Sequence, residues 1–127
     1  MLVAGLYKFL GAVMIKRFDV GARMSEMSAC QGIVHLAGQV ADDDSADISG
    51  QTRQVLAAID ALLDRVGSDK TKILMAQIYL ADIADFAAMN AVWDSWVVMH
   101  HTPPRATVQA ALARPQWKIE IVITAAV

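Results

Sequence analysis

The chain has 127 residues, 56% of them hydrophobic and 19% charged, with a formal net charge of −2 and a single cysteine. That is enough for one domain with its own core, and the absence of a basic run argues against broad electrostatic capture of nucleic acid. With Cys30 alone an intramolecular disulfide is excluded, which suits a reducing, cytoplasmic location. A mean hydropathy of +0.40 is high for a soluble monomer, so some apolar surface is expected to be buried between subunits.

Met1 to Val13 is mostly apolar but is interrupted by Lys8. No basic stretch precedes it, and it is too short to span a bilayer. It reads as an N-terminal extension outside the fold, followed by one domain over residues 14–127 with no membrane partner. Ile15 to Val20 suits a short edge strand. Met27 to Gln31 and Ile33 to Val40 read as a hairpin turning at Gln31-Gly32, and Gly38 near its end marks a bulge or a close approach. Asp42, Asp43 and Asp44 form a solvated loop, because calcium loops need alternating ligands and a glycine turn.

A first helix is predicted from about Ser45 to Val66. Ile48, Thr52, Val55, Leu56, Ile59, Leu62, Leu63 and Val66 share one face, with Gln51, Arg53, Asp60 and Asp64 mainly on the other. Gly67 supplies the stop. Thr71 to Leu80 is a strand, apolar enough over Ile73 to Leu80 to be covered on both faces. Asp82 caps a second helix, with Asp85 in its first turn. Ile83, Phe86, Asn90, Trp93 and Val97 form its expected inner stripe, and the helix must end before Pro103. The amide of Asn90, mid-stripe, needs partners; a loop backbone, a subunit contact and a ligand are all open.

The last two strands are read in Pro103–Ala110 and Trp117–Ile123, joined by Leu112-Ala113-Arg114-Pro115. Read as a hairpin, they place Thr107 opposite Glu120, with Arg105 one pair further out on the same face. A guanidinium, a hydroxyl and a carboxylate would then converge. The register is decisive, since one residue more or less in the loop moves Glu120 to the other face. The element order implies an α+β fold: one mixed sheet with both helices on one face. Right-handed crossovers make Thr71–Leu80 parallel to the strands that flank it in sequence.

There is no Walker loop, Gly-rich dinucleotide turn, HExxH or CxxC, so no cofactor and no metal are expected. His100 and His101 are neighbours that point about 100° apart on a helix, a poor pair for one ion. His35 suits a half-buried or interface position. Cys30 has no base partner and reads as packing. Met89, Trp93 and Trp96 read as core or interface. Arg105 follows two prolines that stiffen the chain. Arginine suits a planar carboxylate held through two parallel bonds, although a structural salt bridge with Glu120 is equally open.

Pro103-Pro104-Arg105-Ala106-Thr107-Val108, followed by Trp117-Lys118-Ile119-Glu120-Ile121, resembles the C-terminal signature of the RidA/YjgF family of imine deaminases. The resemblance extends upstream to Leu36-Ala37-Gly38-Gln39-Val40, to Gln51-Thr52-Arg53-Gln54-Val55-Leu56 and to Asp85-Phe86…Asn90…Trp93. It implies a chorismate-mutase-like homotrimer with clefts between subunits. It also implies hydrolysis of small 2-imino acids or enamines to 2-keto acids and ammonia, without cofactors. Arg105 would hold the substrate carboxylate and Glu120 would activate the water, with Asn90 and Thr107 completing the site. Thr107 stands where many relatives have cysteine, Met24 near a common tyrosine, and Ala37 where a hydroxyl residue is common. These departures bear on rate and substrate preference. A trimer that binds a small carboxylate such as a 2-keto acid without turnover is the alternative, and ribonuclease activity a third.

Overall fold

The computed structural model describes residues 13–127, so the expectation for the N-terminal segment falls almost wholly outside the described residues. The elements are β1 (Lys16–Phe18), β2 (Met27–Cys30), β3 (Ile33–Leu36), α1 (Ile48–Arg65), β4 (Ile73–Leu80), α2 (Phe86–Trp96), β5 (Arg105–Gln109) and β6 (Ile119–Ala126). Single 3-10 turns, Lys70–Lys72 and Ile83–Asp85, lead into β4 and α2. The strands form one mixed sheet in the order β1-β2-β3-β6-β4-β5.

The β2–β3 hairpin turns at the expected dipeptide. Gln31 and Gly32 both have positive φ, 51° and 80°, the pairing that matches the right-handed twist of the flanking strands. The Asp47 carboxylate caps α1 by accepting from the Gly50 N–H at 2.8 Å. From there Val55, Leu56, Ile59, Leu62 and Leu63 present a continuous buried stripe. That stripe packs with Met89, Val92 and Trp93 of α2 onto Ala76, Ile78 and Leu80 of β4 and Ile119, Ile121, Ile123 and Ala125 of β6. Both helices therefore cover one face of the sheet.

Four expectations need correction. Gln51 was assigned to the outer face of the first helix, but it is fully buried. Its Nε2 donates to the carbonyls of Asp44, Ala46 and Gln116 at 3.0–3.1 Å, and its Oε1 accepts from the Lys118 N–H at 2.9 Å. Two loops cover the first turn of α1, and helical periodicity says nothing about loops. The inner stripe of the second helix is Met89, Val92 and Trp93, whereas Ile83 and Phe86 are 49% and 41% exposed. Ile83 belongs to a 3-10 turn, where a period of 3.6 does not apply, and Phe86 begins the helix beside an edge strand. The second face of β4 is not covered within the protomer, since Gln77 and Tyr79 are half-buried and Leu74 and Met75 exposed.

The fourth concerns the C-terminal hairpin. β5 and β6 do not pair, because β4 lies between them, parallel to β5 and antiparallel to β6. The direction of β4 is as expected, parallel to β5 beside it and pointing the same way as β3, which also runs antiparallel to β6. Residues 110–118 arch over the end of β4, with the Ala81 N–H bonded to the Lys118 carbonyl and the Ala110 N–H to that of Leu80.

At the far edge, both Asp19 carboxylate oxygens accept from Arg65, at 2.7 and 2.9 Å, and tie the end of β1 to α1. That hydrogen-bonded guanidinium holds the Asp19 carboxyl below its ordinary value of 3.8. A depressed carboxyl stabilises the fold above its unfolded pKa, and the contribution fades as pH falls through the folded value. Asp19→Asn should therefore melt below the parent at pH 6, with the gap narrowing in thermal unfolding as pH falls below the ordinary carboxyl value of 3.8. Both side chains are largely exposed, so the effect should be small.

Candidate active site

β5 is an edge strand, and its register sets which side chains face the helices. Arg105 lies beside Ala76 and Thr107 beside Ile78. Ala76 and Ile78 are fully buried beneath the helices, so Arg105 and Thr107 point to that same face. The guanidinium meets α2 there. Its Nη2 donates to Asn90 Oδ1, and its Nη1 points at the Met89 sulfur at 3.6 Å. Its carbon sits 5.2 Å from the centre of the Trp93 ring and 5.8 Å from that of Phe86. Positions 86, 89, 90 and 93 are one face of a helix, so about two turns of α2 wall the cation.

None of these partners is a carboxylate. The only ion pair among the described residues is Arg65–Asp19, so the alternative of a structural Arg105–Glu120 salt bridge does not hold within the protomer. Arg105 is half-buried and held by neutral groups: an amide oxygen, a sulfur and two ring faces. Such a cation is oriented but not neutralised. It has N–H groups left over for an anion.

Glu120 is placed differently. It pairs with Tyr79 on β4, out of phase with Ile78 and Ala76, and so projects from the opposite, uncovered face. Within one protomer the structure brings together Arg105, Asn90 and Thr107 but not Glu120, against the expected convergence. Each strand takes its phase from β4, which sets Arg105 beside Ala76 and Glu120 beside Tyr79, positions of opposite phase.

What the sequence did flag is the seat of Glu120. A Cβ on Gly38 would lie 2.2 Å from Glu120 Oε2 and 2.8 Å from its Cδ. The carboxylate therefore rests where a side chain at position 38 would stand. Paired backbone bonds between Gln39 and Ile121, 2.8 and 3.1 Å, hold that segment against β6. The Gln39 amide donates to Glu26 Oε1 at 2.8 Å and to the Ala37 carbonyl at 2.9 Å. Gly38→Ala should displace the carboxylate and leave the fold intact, because the clashing atoms end a flexible side chain. A crystal structure of the variant with Glu120 moved and backbone unchanged is the expected result.

The comparisons with known proteins bear on this arrangement. A family model described as endoribonuclease L-PSP matches residues 14–127. A RutC family protein of Haemophilus ducreyi is 52% identical, over 90% of this chain and 97% of its own length. The RutC family protein YoaB of Escherichia coli is 49% identical, over 89% and 98%. A crystal structure of a YjgF-family protein from Neisseria meningitidis superposes with a TM-score of 0.86 at 44% identity, covering 91% of this chain and 97% of that one. The chain belongs to the RidA/YjgF family.

In this RidA/YjgF chain the departures at Met24 and Ala37 fall in distinct settings. Met24 is exposed in the β1–β2 loop, whereas Ala37 is tied through its backbone to Glu26 and to the Gln39 amide. Met89 and Trp93 were read as core or interface and Phe86 as part of the inner stripe; the structure adds that all three wall Arg105. The helical spacing of the four α2 positions was visible, but not the strand they would meet. Among the described residues, no group of three His, Cys, Asp or Glu is placed to hold a metal ion, and no helix is long and apolar enough to cross a membrane.

Proposed function

We propose that this RidA/YjgF protein hydrolyses small 2-imino acids, or their enamine tautomers, to 2-keto acids and ammonia, in clefts between the subunits of a homotrimer. The observation that carries the reading is Arg105: half-buried, oriented by Asn90 and walled by α2, with no carboxylate of its own. A 2-imino acid supplies the missing anion beside a C=N bond. The guanidinium takes the carboxylate and fixes the imine carbon. Water adds to that carbon, giving a carbinolamine that collapses to the ketone and releases ammonia. Glu120 takes the proton from the attacking water and returns one to the departing nitrogen. The Thr107 hydroxyl, on the face of Arg105, bonds the water or the nitrogen.

Assembly is part of this reading. Arg105 and Glu120 project from opposite faces of one sheet, so a ligand held by one protomer's arginine needs a second copy's glutamate. The face that bears Glu120 also carries Met75, Tyr79, Val108 and Val122, exposed or half-buried and uncovered by any helix. That surface suits a second copy better than water. The same separation of Arg105 from Glu120 is compatible with a carboxylate-binding protein without turnover.

The test is 2-iminopropanoate generated in situ by an amino-acid oxidase. Faster release of pyruvate and ammonia than in buffer is expected, from a species that sediments as a trimer at micromolar concentration. A monomer, or tight pyruvate binding without any acceleration, overturns the hydrolase reading.

A further inference from the structure

We infer that the groove between α1 and α2 is a second small-molecule site, which takes an anion carried on a flat apolar body, an aromatic carboxylate being the simplest example. It is separate from the Arg105 site and does not depend on the imine-hydrolase reading.

The groove is lined by Arg53 and Leu56 of α1, by Val92, Ser95 and Trp96 of α2, and by Lys70 of the turn before β4. Arg53 and Ser95 are exposed at its mouth, whereas Leu56 and Val92 are buried at its floor. The Trp96 ring is held in place from two sides. Its Nε1 donates to Asp60 Oδ2 at 2.9 Å, and the ring packs on that of Trp93 with centres 5.3 Å apart and planes tilted by 52°. An aromatic wall fixed before the ligand arrives loses little entropy on binding. Lys70 Nζ lies 5.3 Å from the centre of the same ring, so the groove offers an indole face and a cation side by side. Its volume of about 210 Å³ is below the roughly 300–1,000 Å³ of sites for drug-sized ligands. A single ring with its acid group is the size that suits it.

Charge selects an anion. Two cations line the groove and no carboxylate does. The carboxylates that come next to its residues are engaged elsewhere. Asp60 accepts from the Trp96 indole. Asp69, which precedes Lys70, accepts from the Thr71 N–H at 2.8 Å and from the Thr71 hydroxyl. The only ion pair among the described residues is Arg65–Asp19, so no carboxylate in contact neutralises Arg53 or Lys70. Like charges on one groove repel, and an anion relieves that. Arg105 does not line the groove. Trp93 touches both sites, however, with its ring centre 5.2 Å from the Arg105 carbon, so an experiment must separate binding in the groove from a signal relayed through Trp93.

The experiment titrates benzoate into the full chain labelled with 15N at its indoles and follows the Trp96 N–H resonance, assigned with Trp96→Phe. A saturable shift with a millimolar Kd is expected. Benzyl alcohol, of similar shape but neutral, should bind at least ten-fold more weakly. Arg53→Ala and Lys70→Ala should each weaken benzoate several-fold and together at least ten-fold, while Arg105→Lys leaves the Trp96 titration within two-fold. No shift of Trp96 in the parent overturns the site, and equal binding of benzyl alcohol overturns the choice of an anion. A shift that persists in the doubly substituted groove but is lost in Arg105→Lys belongs to the Arg105 site and overturns the inference. So does a change of either groove variant to a smaller species in sedimentation, which would make the groove a subunit contact.

Discussion

Arg105→Lys is expected to weaken pyruvate binding about 30- to 150-fold, while Glu120→Gln keeps that affinity and loses turnover. The binding figure follows from losing charge-assisted bonds worth about 2–3 kcal/mol. An ammonium retains the charge but is a point donor. It cannot offer a carboxylate two parallel N–H groups while also bonding the Asn90 amide. The lysine stem also forfeits the stacked position between Trp93 and Phe86, where the planar guanidinium lies 5.2 and 5.8 Å from the ring centres. Glu120 projects from the other face of its own protomer, and in the proposed mechanism it carries the proton rather than the ligand's charge, so its amide variant should fail in rate. Calorimetry with pyruvate beside the coupled oxidase assay separates the two, after sedimentation has shown that both variants assemble as the parent does. If Arg105→Lys binds pyruvate as tightly as the parent, the arginine is a structural partner of α2 and the catalytic reading of β5 is wrong.

The second large effect should be on stability. Gln51→Leu should cost about 3 kcal/mol, because it strands three carbonyls and one N–H that the buried amide now satisfies. For a domain of this size that is a fall in Tm of about 10 °C or more. Leucine fills nearly the same volume, so the loss reports hydrogen bonding rather than a cavity. Gln51→Glu keeps the acceptor for the Lys118 N–H but sets an acceptor against three carbonyls, and should be at least as damaging. The Lys118 contact lies two residues before Glu120, so Gln51→Leu should also lower imine turnover below the new melting point. A drop of less than about 2 °C in thermal unfolding would show that the loops satisfy themselves without Gln51.

Local elements were legible because they depend on near neighbours. The Gln31-Gly32 turn, the α1 stripe from Val55 to Leu63, the stop at Gly67 and the alternation of β6 each follow from a backbone preference or a period of two or 3.6. Gly38 also belongs here: a glycine in a strand end announces that something approaches, and the Glu120 carboxylate does. Family membership was legible too, in ordered short segments from Leu36 to Ile121. Strand order was not. Alternation in β5 and β6 states which residues share a face of each strand, but not which strand lies between them. The insertion of β4 moved Glu120 away from Arg105 and Thr107, a relation that depends on pairing far apart in the chain. Burial of Gln51 was hidden for the same reason, since its four partners come from two loops, one of them 65 residues away. The walling of Arg105 by Phe86, Met89, Asn90 and Trp93 is likewise tertiary: helical spacing aligned the four side chains, and only the packing of α2 across an edge strand supplied the cation they hold.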